Sequence, residues 1–155
     1  MTTAPTWTTT PPPQAWADTI TAAQHAAHGD PLQCCAAIAE SGCDPGWLVI
    51  AGVHLLAAVL AEGVAADELR AEVLRIATDT GASDYMVTAS LEVVALAEAM
   101  QRDELPTIWQ LCSGSQVSAR DLAHGACSLT GQAIAAVAVD VPGVFDRLRA
   151  QYGGR

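Results

Sequence analysis

Two aspartate–proline pairs, Asp30-Pro31 and Asp44-Pro45, stand fourteen residues apart. Each is a helix start. A carboxylate suits the N-cap, where it accepts from a free backbone N–H, and proline suits the first helical position, where its missing N–H is not needed. Two starts that close leave room for one short helix and a tight turn, so this part of the chain must fold as helical hairpins. Gly42, just before the second pair, is placed to supply a left-handed stop.

The same punctuation runs along the rest of the chain. Trp16, Ile20, Ala23 and Ala27 form one stripe of a helix over residues 14–28. Asp67 is the expected start of a helix with Leu69, Val73 and Ile76 on one face, stopping at Gly81. Ser83 caps another that carries Val87, Leu91, Val94 and Leu96 to about Gln101. Asp103 is the expected cap of a short helix bearing Leu105, Ile108, Trp109 and Cys112. Ser118, with Asp121 three residues on, resembles a capping box and opens a long helix to about Ala138. Pro142 opens a last helix with Phe145 and Leu148, ending near residue 151.

Alanine supplies 31 of the hydrophobic residues, and only seven residues are Phe, Trp or Tyr. Helices that approach closely suit such small side chains, whereas sheets need β-branched and aromatic surfaces. The expected fold is all-α, with about eight helices. Its hairpins stack as a short α-solenoid-like array or pack as an orthogonal bundle, within a single domain over residues 14–155. The Thr/Pro-rich residues 1–13 read as a disordered, polyproline-like tail in which Trp7 is the residue able to dock.

The starts also recur. Asp30, Asp67 and Asp103 are 37 and 36 residues apart, each with leucine two positions later, which defines hairpin units over 30–63, 67–101 and 103–138. Glycine stops are expected at Gly42, Gly81 and Gly114. Between the first and third units an offset of 73 pairs Ile38 with Leu111, Val49 with Leu122, and Gly52 with Gly125.

Charge narrows the function. The net charge is −10, all seven bases are arginine, and residues 1–69 contain seven acids and no base. Without clustered cations the chain is expected to bind neither nucleic acid nor an anionic membrane. Without lysine it forms no Schiff base and no phosphate-binding P-loop. The uncharged stretches 45–61 and 122–139 contain glycine and histidine and lack cationic anchors, so they read as core helices rather than spans. Five cysteines and no visible signal peptide point to reduced thiols and a cytoplasmic location.

Two histidine–cysteine groups are candidate metal ligands, for which zinc is the suited ion. Asp121, His124 and Cys127 follow each other by three on one helix, with Cys112 on the preceding one. A looser set is His25, His28, Cys35 and His54, among which Cys34 and Cys43 also fall. Trp47, Tyr85 and Trp109 are candidate walls of a ligand pocket between helices. No nucleophile motif is present, and the residue inventory leans against catalysis. The leading expectation is an acidic, non-catalytic interaction module of adaptor, chaperone-like or immunity type, with a basic or amphipathic protein partner. The alternatives are a metal- or thiol-dependent sensor using the Cys/His groups, and a small-ligand pocket protein, which could be an enzyme. A homodimer is compatible with all three.

Overall fold

The computed structural model describes residues 5–152. Among these it is all-helical, with α1 (Pro13–Ala27), α2 (Pro31–Glu40), α3 (Pro45–Ala61), α4 (Ala66–Thr80), α5 (Asp84–Gln101), α6 (Leu105–Gly114), α7 (Ala119–Val137) and α8 (Val141–Tyr152). Four of the expected caps form. Asp30 accepts from Gln33 N at 3.1 Å, Asp44 from Gly46 N at 2.8 Å, Ser83 from Met86 N at 3.3 Å, and Ser118 from Asp121 N at 3.2 Å.

Two expected caps do not. Asp67 lies inside the first turn of α4, whose N-cap is Ala65, and there its charge faces the positive end of the helix dipole. Asp103 belongs to the end of α5, not to the cap of α6. It takes φ 56°, and the following N–H of Glu104 reaches back to the Ala99 carbonyl at 2.8 Å, closing the helix with a left-handed residue. Gly81 makes the expected left-handed stop, at φ 67°. Gly42 and Gly114 do not. Gly114 is the last residue of α6, and both short helices end on an extended serine, Ser41 and Ser115.

Those two serines expose a duplication. Pro31 and Leu105, Glu40 and Gly114, and Ser41 and Ser115 are each 74 residues apart. The same offset joins the left-handed Gly29 (φ 74°) to Asp103, and the N-caps Asp44 and Ser118. The carbonyl contacts Asp30 N to His25 O and Glu104 N to Ala99 O are also related by it. Burial follows suit: Ala15, Ile20, Ala23, Val53 and Leu55 are buried, and so are Ala89, Val94, Ala97, Cys127 and Leu129. Past α3 and α7 the match continues with one extra residue, Ala66 opposite Val141. The repeat is therefore two four-helix units, α1–α4 and α5–α8, rather than three hairpins. The expected offset of 73 was one residue short, and the middle hairpin is the end of one unit joined to the start of the next.

The units pack reciprocally. α1 lies on α7 as α5 lies on α3, and α8 lies on α1 as α4 lies on α5, while α3 and α7 cross at the centre. Reciprocal contacts of this kind define a twofold relation. Position 52 meets its own equivalent on that axis: a Cβ on Gly52 would come within 2.8 Å of the Ala126 Cβ. A Cβ on Gly131 would overlap the Ala23 carbonyl oxygen, so glycine is what lets α7 approach α1. Ends that close on each other make a bundle, because in a solenoid each repeat touches only its neighbours.

α3 is uncharged throughout, and twelve of its seventeen residues are buried by the helices around it. No single helix is long and apolar enough to cross a membrane; α3 and α4 pass that test only together, across a bend of 115°. Of the expected tail, residues 1–4 lie outside the described residues. Trp7 packs against the core, Pro11 is buried, and α1 already begins at Pro13.

Candidate functional site

The twofold relation gives the molecule two equivalent clefts, one between α1, α3 and α8 and the other between α4, α5 and α7. The first is filled with rings. Trp16, 6% exposed, stacks on Tyr152 with centroids 4.4 Å apart, and His54 lies 5.8 Å from Trp16 on another side. With Trp7 and Pro11 these rings line a surface groove. In the second cleft Ser90 stands at the position of Trp16, Ala77 at that of Tyr152, and Ser128 at that of His54. This second cleft, which carries no ring at those positions, holds a pocket of about 160 Å³ with Val73, Ile76, Met86, Val87 and Leu129 among its walls, against about 440 Å³ for the groove beside the rings of the first. His124 lines it as well, at the position held by Ile50 in the first cleft.

His124 is half-buried. Burial pushes its imidazole below the ordinary value, and the nearby Asp121 carboxylate pulls the other way. Asp121 itself accepts from the Tyr85 hydroxyl at 2.7 Å and from Ser118 Oγ at 2.9 Å, and the Tyr85 contact is the main cause holding its carboxyl below the usual range. His54 is also pushed down by burial, with no carboxylate opposing it.

The candidate metal sets are not brought together. Asp121, His124 and Cys127 point in three directions because three-residue steps rotate about 60° each round a helix. Asp121 faces Tyr85, His124 faces the open cleft, and the fully buried Cys127 faces α1, its thiol 3.7 Å from the Thr19 carbonyl. Cys112 lies on α6, where burial raises its thiol, the Trp7 indole opposing and Glu92 adding. In the looser set His25 lines a groove between α1 and α2, His28 and Cys35 are exposed, and His54 stacks near Trp16. Among the described residues no group of three or more His, Cys, Asp or Glu side chains is placed to hold a metal ion. Cys34 and Cys127 act as core hydrophobes. Burial pushes Cys34 to about 11, with Cys35 adding, and raises Cys127 further, with Cys34 adding.

The three pocket aromatics also separate. Trp47 is buried at the start of α3, whereas Tyr85 and Trp109 are 43% and 47% exposed on α5 and α6. None of the three lines the open cleft.

Sequence reasoning missed a pair of serine–carboxylate corners. Ser41 Oγ donates to Asp18 at 2.6 Å and accepts from Cys43 N at 3.2 Å. Ser115 Oγ donates to Glu92 at 2.7 Å and accepts from Val117 N at 3.1 Å. The signal was available: Asp18 and Glu92, like the serines, are 74 residues apart. Beside the first corner runs a polar groove of about 530 Å³ lined by Gln14, Asp18, His25, Gln33 and Glu40. Among the described residues no arginine pairs with Asp18, Asp30, Glu40 or Asp44; the ion pairs join Arg70, Arg75 and Arg102 to Asp67, Glu72, Asp79 and Glu98.

No protein-family model, curated protein or solved structure matches the chain.

Proposed function

We propose that the chain is a protein-interaction module that engages a basic or amphipathic partner along the carboxylate-lined groove between α1 and α2. One observation carries this reading. The carboxylates of α1 and α2, Asp18 and Glu40, have no arginine partner among the described residues, while Asp67, Glu72, Asp79 and Glu98 of α4 and α5 pair with Arg70, Arg75 or Arg102. Unpaired carboxylates beside a groove raise the local concentration of a cationic partner and steer its approach. Leu32, 81% exposed on α2, supplies an apolar contact next to Gln33 of the groove wall. A second copy of a chain with net charge −10 would meet like charge here, so self-association would use another surface.

The test is fluorescence anisotropy with two labelled amphipathic helical peptides, one with lysine and one with glutamate on the polar face. The lysine peptide is expected to bind and the glutamate peptide to fail. Raising salt from about 0.1 M to about 1 M shortens the screening length from about 10 Å to about 3 Å and should release the lysine peptide. The double substitution Asp18→Asn, Glu40→Gln should weaken it as well. Equal binding of both peptides, or affinity indifferent to salt and to the substitutions, would sink this reading.

A further inference from the structure

We propose that the open cleft between α4, α5 and α7 is a binding site for a small, uncharged, planar aromatic molecule of one or two fused rings. The filled cleft on the other side of the twofold shows what this space is shaped for. There the corresponding three helices carry the buried Trp16 indole and the half-buried Tyr152 phenol, stacked at 4.4 Å. At the equivalent positions of the second cleft Ser90 and Ala77 carry no ring, and the corresponding helices α4, α5 and α7 surround the space. The pocket of about 160 Å³ opens to solvent on one side, and its volume is close to the roughly 150 Å³ at which an enclosed apolar cavity takes up benzene.

The lining fits the same class of guest. No residue lining the cavity carries a formal charge, and burial favours the neutral form of His124. A charged guest would lose hydration without a counter-charge to replace it. The aliphatic walls Val73, Ile76, Val87 and Leu129 offer dispersion contacts to a ring face, and the Met86 thioether offers a sulfur–aromatic contact. Ser128 stands where His54 flanks Trp16. Its hydroxyl accepts from Gln132 Nε2 at 3.0 Å and keeps its own proton to donate to a ring substituent. This site is distinct from the acidic groove of α1 and α2 and does not depend on it.

The experiment uses the full chain and follows its side-chain methyl resonances by NMR during titration with indole, benzene and cyclohexane. Indole and benzene should give saturable, one-per-chain shifts at the methyls of Ile76, Met86, Val87 and Leu129, with those of Leu55 and Leu148 unmoved. Cyclohexane, of similar bulk but without a planar ring, should bind at least about tenfold more weakly than benzene, a gap worth about 1.4 kcal/mol. The substitution Ser90→Trp, which copies the filled cleft, should abolish the saturable shifts. Absence of saturable shifts in the unaltered chain would overturn the proposal, as would shifts confined to the Trp16–Tyr152 groove or cyclohexane binding equal to benzene. Binding retained by a folded Ser90→Trp protein would overturn it too. Should that variant fail to fold, the methyl map of the unaltered chain decides alone.

Discussion

The two clefts share helix order and spacing, yet one holds Trp16, Tyr152 and His54 while the other holds a cavity beside His124. The same scaffold thus spends one site on stability and leaves its twin free. Aromatic side chains bury large areas and dominate local packing, so the filled cleft should anchor α8 onto α1 strongly. The open cleft has aliphatic walls but no ring at its centre, so α4 rests on α5 through aliphatic contacts, Leu69 and Val73 among them. At its rim Arg70 pairs with Glu98; in the other half Arg149 donates to Gln24, the residue equivalent to Glu98.

The largest expected effect tests this contrast directly. Trp16→Ala should cost about 3–5 kcal/mol, as for other buried tryptophans, whereas Ser90→Ala at the equivalent position should stay within about 0.5 kcal/mol. Urea unfolding midpoints of the two variants measure it, and equal losses would erase the distinction between the clefts. Next in size is the axis. Gly52→Ala should cost about 1–3 kcal/mol through overlap with Ala126. Adding Ala126→Gly exchanges the two residues across the twofold and should recover most of that loss. If the double variant is no more stable than Gly52→Ala alone, the two positions do not meet as equivalents.

A smaller effect concerns the serine corners. Ser41→Ala and Ser115→Ala should each cost about 1 kcal/mol, and by similar amounts, because each hydroxyl serves one carboxylate and one backbone N–H. Thermal unfolding that separates the two would show the corners to be unequal. The smallest effect is with pH. His54 and His124 are both held below the ordinary imidazole value of 6.5, so below that pH the unfolded chain takes up protons that the folded chain refuses. Stability should therefore be fully present above pH 6.5 and fall as pH drops through it. His54 should carry the larger share, since Asp121 offsets the burial of His124 alone. His54→Gln should flatten the stability–pH curve more than His124→Gln, and the reverse order would contradict the cleft assignments.

Most helix starts were legible because a cap is a local device. Asp30, Asp44, Ser83 and Ser118 each bond an N–H two or three residues away. Asp103 misled because an aspartate before an apolar stripe fits a cap and a left-handed helix end equally well, and only the backbone distinguishes them. The duplication was half legible. Adjacent apolar positions such as Leu111 and Cys112 let a register of 73 look as good as 74. Few positions are identical to anchor it, Ala15 with Ala89, Ser41 with Ser115 and Leu48 with Leu122 among them. Of the candidate site residues, His124 alone lines the open cleft. Asp121, His124 and Cys127 look convergent along the chain, but helical rotation sends them to three neighbours.

The sequence by itself determined that this chain is helical, where most of its helices begin and end, and that its first 69 residues bear acids and no base. These follow from composition and from contacts a few residues long. Which cleft is filled, which carboxylates are paired, and where positions 52 and 126 meet were decided only by the tertiary structure. Each depends on residues from two helices brought together across the twofold, and no local pattern carries the geometry of that meeting.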